Sequence, residues 1–513
     1  MQMIFRNILR RSALLGIAMA LAVPAFGPAN AGSKMGGTLK ISHSTRIATL
    51  NVLSLSGPAE YPVIDMAYSG LTRIGPDSQP MPDLAESWEA SPDATEFTFN
   101  LRQGVNFHDG TPATASDVVA TYEAILNPDI PASAASVLNM IETVSATDDL
   151  TVKFKLKTPF ADFPTSTAHA NARILSEEAL AGDLTKLDTV VNGTGPFKME
   201  NYDSARVTRL VRNDDYFIEG KPYLDAVEMH LFPDLAAETT NFLSGDIDVM
   251  LLVQQADYER ISSAPNVNAL RVPSGRYVNV VMRFDQPPFD DLKVREALAY
   301  SIDRQLLVDL VLEGLGRPAH DNILSPEFKF RIDTPEKAYD PEKAKKLLAE
   351  AGYPNGLKLN LVASNRPAIR AQVAIAIKQM ALSAGFDINV ETMPHDTYIA
   401  NVWKKGKFYM AYWGMQPTED ATFNLLLTSN ASYEDTGWKN KEFDDLVQAG
   451  RSTTIESERA NAYSKAQELM LSELPYIIAF YEDVSTASKS KVQGYTLNPI
   501  NRYFYLESVW LEE

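Results

Sequence analysis

Two stretches of the chain carry residues whose types and spacing suit the capture of a charged small molecule. The first is residues 363–370, which follow a predicted strand and open a predicted helix. An arginine beside the free N–H groups of a helix start suits a carboxylate. A cation there also works against the helix macrodipole, so its placement asks for a reason. Arg370 is the candidate and Arg366 the fallback; the plain alternative is a solvated arginine paired with a nearby acid. The second stretch is residues 413–423 (WGMQPTEDATF). Tyr412 and Trp413 end a strand, and Gln416, Thr418, Glu419 and Asp420 follow in a loop that would face a cleft. Gln416 can accept a hydrogen bond but cannot neutralise an ammonium. Glu419 or Asp420 could supply that charge. Capping the helix expected at 421–427 is the competing role, favoured for Asp420.

Other chemistries find less support. The six histidines (His43, His108, His169, His230, His320 and His395) are scattered. There is no H-E-x-x-H, no G-x-S-x-G and no phosphate-cradling glycine loop. A periplasmic hydrolase, its site assembled only by folding, is the rival from another class. The chain has no cysteine, which excludes disulfides, cysteine-ligated zinc and a thiol nucleophile. No cofactor is called for.

Strands and helices alternate throughout, which argues an α/β fold. Glu96–Leu101 and Thr151–Leu156 alternate like half-buried strands, and residues 117–126 read as a helix stopped before Pro128. Residues 340–352 are a helix with Asp340 as cap, Pro341 at its first position and Gly352 past its end. Residues 357–362, 367–384 and 387–392 read as strand, helix and strand, a βαβ unit. Phe408–Trp413 is a further strand.

The N-terminus reads as an export signal. Arg6, Arg10 and Arg11 precede an apolar run over 13–23, and Ala29-Asn30-Ala31 fits cleavage after Ala31. Arg10-Arg11 is a poor twin-arginine match, and the export route stays open. With 47 Lys+Arg and 66 Asp+Glu the net charge is −19, about −22 once the leader's three arginines are gone. Such a field opposes nucleic acid and anionic lipid. A mature chain of about 480 residues can bury two or three cores.

Residues 286–304 (QPPFDDLKVREALAYSIDR) form a stiff entry into an amphipathic helix. Asp290 or Asp291 can cap it, and Val294, Ala297, Leu298, Ser301 and Ile302 form its buried stripe. As a string this segment resembles a signature of the bacterial extracytoplasmic solute-binding proteins of family 5, the dipeptide- and oligopeptide-binding components of ABC importers. So do residues 84–110 (LAESWEASPDATEFTFNLRQGVNFHDG), 192–197 (NGTGPF), 213–217 (NDDYF), 339–352 and 438–446 (WKNKEFDDL), in the family's order.

The resemblance implies a two-lobed clamp with mixed sheets and an additional domain. A discontinuous first lobe would comprise 36–66, 205–283 and 481–513. The extra domain would span 67–204 and the second lobe 284–480. It implies a free periplasmic monomer without a lipid anchor, capturing a small peptide or amino-acid-derived solute for an inner-membrane ABC permease. It places a carboxylate-binding arginine at Arg370. At Gln416, where peptide-binding relatives often carry an ammonium-accepting aspartate, this chain departs. That keeps an opine or an oligosaccharide open as solute, with nickel or haem behind them. By resemblance, Ser56, Gly57 and Tyr61 fall on a first-lobe loop that touches ligand, and His395 at an aromatic wall position. Tyr277 is expected just before a strand near the lobe crossing. Gly193 and Gly195 are expected to serve a backbone turn.

Overall fold

The computed structural model describes residues 34–512 apart from 56 and 58. The expected leader and Ser56 lie outside the described residues.

Twelve strands form one sheet of mixed pairing, ten of them along a single path and two beside it. In one half Thr38–His43 runs parallel to Ala226–Leu231 on one side and to Val249–Met250 on the other. Val207–Arg212 and Phe197–Asn201 extend that half in antiparallel fashion. In the other half Phe408–Trp413 lies antiparallel to Val267–Met282 and parallel to Leu357–Ser364. Leu357–Ser364 pairs in parallel with Phe386–Met393, and helix Ile369–Leu382 joins the two, so the βαβ unit forms. The halves are joined by Val267–Met282 and Phe480–Lys489, paired antiparallel from Val267↔Lys489 to Arg276↔Glu482. Their register shifts between Val272 and Arg276, a bulge that re-aims the strand as it passes from one half to the other. Tyr277 therefore lies inside a sixteen-residue strand, not before one as expected.

The run FYMAYW is apolar throughout because Phe408–Trp413 is covered on both faces. Phe408 and Met410 enter one core with Val280 and Ile377. Tyr409 and Ala411 enter another with Tyr277, Phe423 and Trp438. A separate antiparallel sheet of four strands comprises Ala85–Ala90, Glu96–Leu101, Thr151–Leu156 and Ile141–Asp148. Its inner face packs Phe97, Phe99 and Phe154 against Phe163 and Tyr122.

Local chemistry explains the element ends. Asp291 caps Leu292–Tyr300 by accepting from Lys293 N at 2.8 Å. The predicted stripe on that helix is buried from Val294 to Ile302. Asp340 caps Pro341–Glu350 through Lys343 N at 2.8 Å. Helix Ala115–Leu126 starts two residues earlier than expected, where Thr114 N donates to Asp117 Oδ2 at 2.8 Å. Gly193 and Gly195 mark a close approach of two backbones. A Cβ on Gly193 would stand 2.1 Å from Ala67 O, and one on Gly195 2.5 Å from Ala67 C. No side chain fits there.

Candidate functional site

The end of Phe408–Trp413 delivers the second predicted stretch. Trp413 stands opposite Tyr277 in the ladder. Its ring meets Tyr433 edge-on at 5.4 Å, and Tyr433 stacks on Trp403 at 5.5 Å. The Trp413 indole N–H and the Tyr277 hydroxyl are both buried without a partner. Burial and nearby Asp435 push the Tyr277 phenol pKa well above its usual value.

Asp435 is itself 1 % exposed, accepting from Tyr409 Oη at 3.0 Å and Tyr476 Oη at 2.6 Å. Burial pushes its carboxyl up to about 6. An acid whose folded pKa lies above its unfolded value of about 3.9 loses stability as pH rises between the two. Asp435→Asn, neutral at every pH, should therefore gain on the wild type by on the order of 2–3 kcal/mol between pH 4 and pH 8. Denaturant melts at both pH values check this; a gap that does not change with pH contradicts it.

Beyond Trp413, Gln416 folds over its own loop, donating from Nε2 to Gly414 O at 3.1 Å. Thr418, not Asp420, caps helix Glu419–Leu426, accepting from Ala421 N at 3.1 Å. Glu419 and Asp420 fill the first turn and are both committed. Glu419 accepts from Phe330 N at 2.6 Å. Asp420 accepts from Arg451 Nη1 at 2.8 Å and Asn424 Nδ2 at 2.9 Å.

A cavity of about 600 Å³ opens where three distant stretches meet: Gln416, Thr418, Asp420 and Tyr433 on one wall, residues 136–169 on a second, and residues 500–503 on the third. That volume suits a small organic ligand. Two walls are fastened together by Asp162 Oδ1 to Arg459 Nη2 at 2.5 Å and Ala161 N to Arg451 O at 2.9 Å. The Arg451 guanidinium also lies 4.1 Å from the Phe160 ring centre. His169 on the second wall is held neutral, its pKa pushed down to about 4 by burial. A cavity of about 640 Å³ elsewhere is walled wholly by residues between Tyr68 and Met199 and contains none of the predicted residues.

Arg370, second residue of helix Ile369–Leu382, is 8 % exposed, with Nε and Nη1 buried and unpartnered. No carboxylate pairs with it among the described residues. Its guanidinium lies 5.4 Å from the Tyr398 ring centre and 6.0 Å from that of Tyr412. Burial lowers its pKa. A buried cation without an anion is costly, and a ligand carboxylate would relieve that cost. His395 opens helix His395–Asn401, its Nδ1 3.0 Å from Ser364 Oγ at the end of Leu357–Ser364. Tyr61 lies in the first turn of helix Glu60–Ala67 and Gly57 three residues before it, where a Cβ would stand 2.4 Å from Glu60 Oε2. Of the predicted residues that the structure describes, only Gln416, Thr418 and Asp420 line the 600 Å³ cavity, and Gly57, Tyr61, Tyr277, Arg370, His395, Trp413 and Glu419 do not.

Sequence reasoning missed Arg276, Tyr433, Arg502 and Tyr503. Arg276 donates to Tyr412 Oη from Nε at 3.1 Å and faces Glu482, its Nη2 3.5 Å from a carboxylate oxygen. Only the register of a long ladder reveals that. Arg502 and Tyr503 reach the cavity because Phe504 N donates to buried Asp65 Oδ2 at 3.0 Å and so fixes the returning tail. Nothing in the local sequence signals it. Among the described residues no group of three or more His, Asp or Glu could hold a metal ion, and no helix is long and apolar enough to cross a membrane.

Two half-sheets joined by paired crossing strands, with a cavity walled by distant stretches and, outside its lining, a buried arginine without an anion, define a solute-binding protein. Comparison with known proteins makes the assignment specific. A family profile described as bacterial extracellular solute-binding proteins, family 5 Middle, matches residues 79–435. This chain belongs to that family of extracytoplasmic binding components of ABC importers, whose task is binding and not catalysis. It is 29 % identical over 464 residues to a dipeptide-binding protein of Escherichia coli (strain K12), covering 84 % of this chain and 86 % of that one. It is also 29 % identical over 450 residues to heme-binding protein A of Haemophilus influenzae, covering 82 % of each. Among solved structures, AgaA from A. tumefacien R10 in complex with agropinic acid matches with a TM-score of 0.77 and 28 % identity, over 93 % of this chain and 99 % of AgaA.

Proposed function

We propose that the protein captures a small carboxylate-bearing solute, a peptide or another amino-acid derivative, in the periplasm and hands it unaltered to an inner-membrane ABC permease. The observation that carries this reading is Arg370: a guanidinium 8 % exposed, with two nitrogens unpartnered and no acid beside it. A bidentate carboxylate satisfies such a group in its own geometry. Gln416, Thr418 and the returning tail line the 600 Å³ cavity, and Trp413 ends the strand that leads into it. The clamp works by population shift. Solute bound to one lobe adds contacts from the other only when the lobes close, and that differential affinity sets the closed fraction. The sheet path supports two lobes, its halves meeting through Val267–Met282 and Phe480–Lys489, with Phe197–Asn201 in the first half and residues 277–282 paired into the second.

A second reading is favoured by two specific observations. Gln416 cannot neutralise an ammonium, and AgaA, with agropinic acid bound, is among the similar structures. An opine-type solute fits both. A thermal-shift screen of dipeptides, opines, neutral oligosaccharides, haem and nickel tests the class, because a ligand bound only by the native state raises the melting temperature by mass action. Stabilisation by carboxylate-bearing solutes is expected. Stabilisation confined to sugars or nickel, or recovery of a chemically altered solute, overturns the proposal.

A further inference from the structure

We infer that the site is built for a solute of net negative charge that carries no free ammonium. The inference rests on the carboxylate-binding reading of Arg370 and concerns everything around it.

Three guanidinium groups converge on residues 412–414. Arg370 stands 6.0 Å from the Tyr412 ring centre. Arg276 lies 5.7 Å from the same ring centre and donates to its hydroxyl. Arg502 Nη2 lies 3.7 Å from the point where a Cβ on Gly414 would stand. The ladder explains the convergence. Val278 is registered with Tyr412 and Tyr277 with Trp413, so Arg276 falls opposite Gly414, on the face that Tyr412 presents. Against these three cations the cluster holds one carboxylate, Glu482, registered with Arg276 and 3.5 Å from it. Among the described residues the Arg370 and Arg502 guanidinium groups make no ion pair and no hydrogen bond. No protein carboxylate neutralises either one: Arg370 is buried, and Arg502 is exposed to solvent.

Each nearby acid has a partner, although Asp162 and Glu482 keep one buried oxygen free. Asp420 is held by Arg451, Asp162 by Arg459, and Glu419 by the N–H of Phe330. Gln416 brings no charge to the loop, and His169 is neutral. A free ammonium entering this space meets two guanidinium groups, and the carboxylate oxygens still unpartnered there, Asp162 Oδ2 and Glu482 Oε1, belong to acids that already face Arg459 and Arg276. An anionic group meets the reverse. Like-charge juxtaposition of this kind is how a site rejects the wrong ligand as well as favouring the right one.

The test is calorimetric titration of the mature chain with the dipeptide Met-Leu and with N-acetyl-Met-Leu, for the wild type and for Gln416→Asp. The two probes share a carboxylate and differ in the ammonium. The wild type is expected to bind the acetylated peptide at least tenfold more tightly, and Gln416→Asp to narrow or reverse that ratio. A wild type that prefers the free dipeptide overturns the charge inference while leaving Arg370 as a carboxylate binder. If the wild type binds neither probe, the carboxylate reading falls and takes this inference with it.

Discussion

Arg370→Met should weaken binding of carboxylate solutes by about a hundredfold while leaving the melting temperature of the unliganded protein unchanged or higher. The two effects have one cause. In the free protein the guanidinium is buried, with Nε and Nη1 unpartnered, so the fold carries its desolvation without a compensating ion. Methionine keeps most of the packing and removes that cost. In the complex the same guanidinium makes a desolvated, charge-assisted contact, and truncating one side of such a pair costs about 2–5 kcal/mol. At about 1.4 kcal/mol per decade, a hundredfold loss sits inside that range. An ordinary structural arginine would behave oppositely: removal would destabilise the fold and leave affinity alone. Calorimetry and a thermal melt on the same variant separate the cases, and undiminished affinity rules out the assigned role.

The second large effect is at Arg173. Its side chain is 1 % exposed and donates to Asp65 Oδ1 at 2.6 Å, while Asp65 Oδ2 accepts from Phe504 N at 3.0 Å. Arg173→Met leaves Asp65 as an uncompensated buried charge, with buried Asp83 close by. Breaking one side of a buried pair in this way costs about 3–5 kcal/mol. The loss should also reach the ligand. Asp65 fixes the tail at Phe504, and residues 500–503 immediately before it form one cavity wall. Neutralising the stranded acid as well, in Arg173→Met/Asp65→Asn, should recover part of the stability, since the two residues are directly coupled. A single variant that melts at the wild-type temperature would show that the pair does not hold the tail.

The sequence was most legible where one periodicity prevails. Glu96–Leu101 and Thr151–Leu156 alternate cleanly because one face packs on aromatic residues and the other meets solvent, and both strands end where expected. Phe408–Trp413 was equally readable as a continuous apolar run. Val267–Met282 was not. Its first half is half-exposed and its second half buried on both faces, so no single pattern runs through it, and Tyr277 was misplaced in consequence. The candidate site shows the same division. Arg370 and the loop after Trp413 stand out because they follow strands and open helices, where ligand contacts concentrate. Arg276, Tyr433 and Arg502 come to the site through ladder register, ring packing and a tail fixed at Asp65. Those are long-range contacts, and no local pattern encodes them. Likewise Asp420 was a sound cap on residue type, but Thr418 stands one residue before the first turn and takes that place.

The most direct test of the account is a crystal structure of the protein with a solute identified by the thermal-shift screen. The account predicts the solute enclosed between the two half-sheets, chemically intact, with a carboxylate within hydrogen-bond distance of Arg370. A solute lodged elsewhere, or one between the halves whose acid group avoids Arg370, would contradict it.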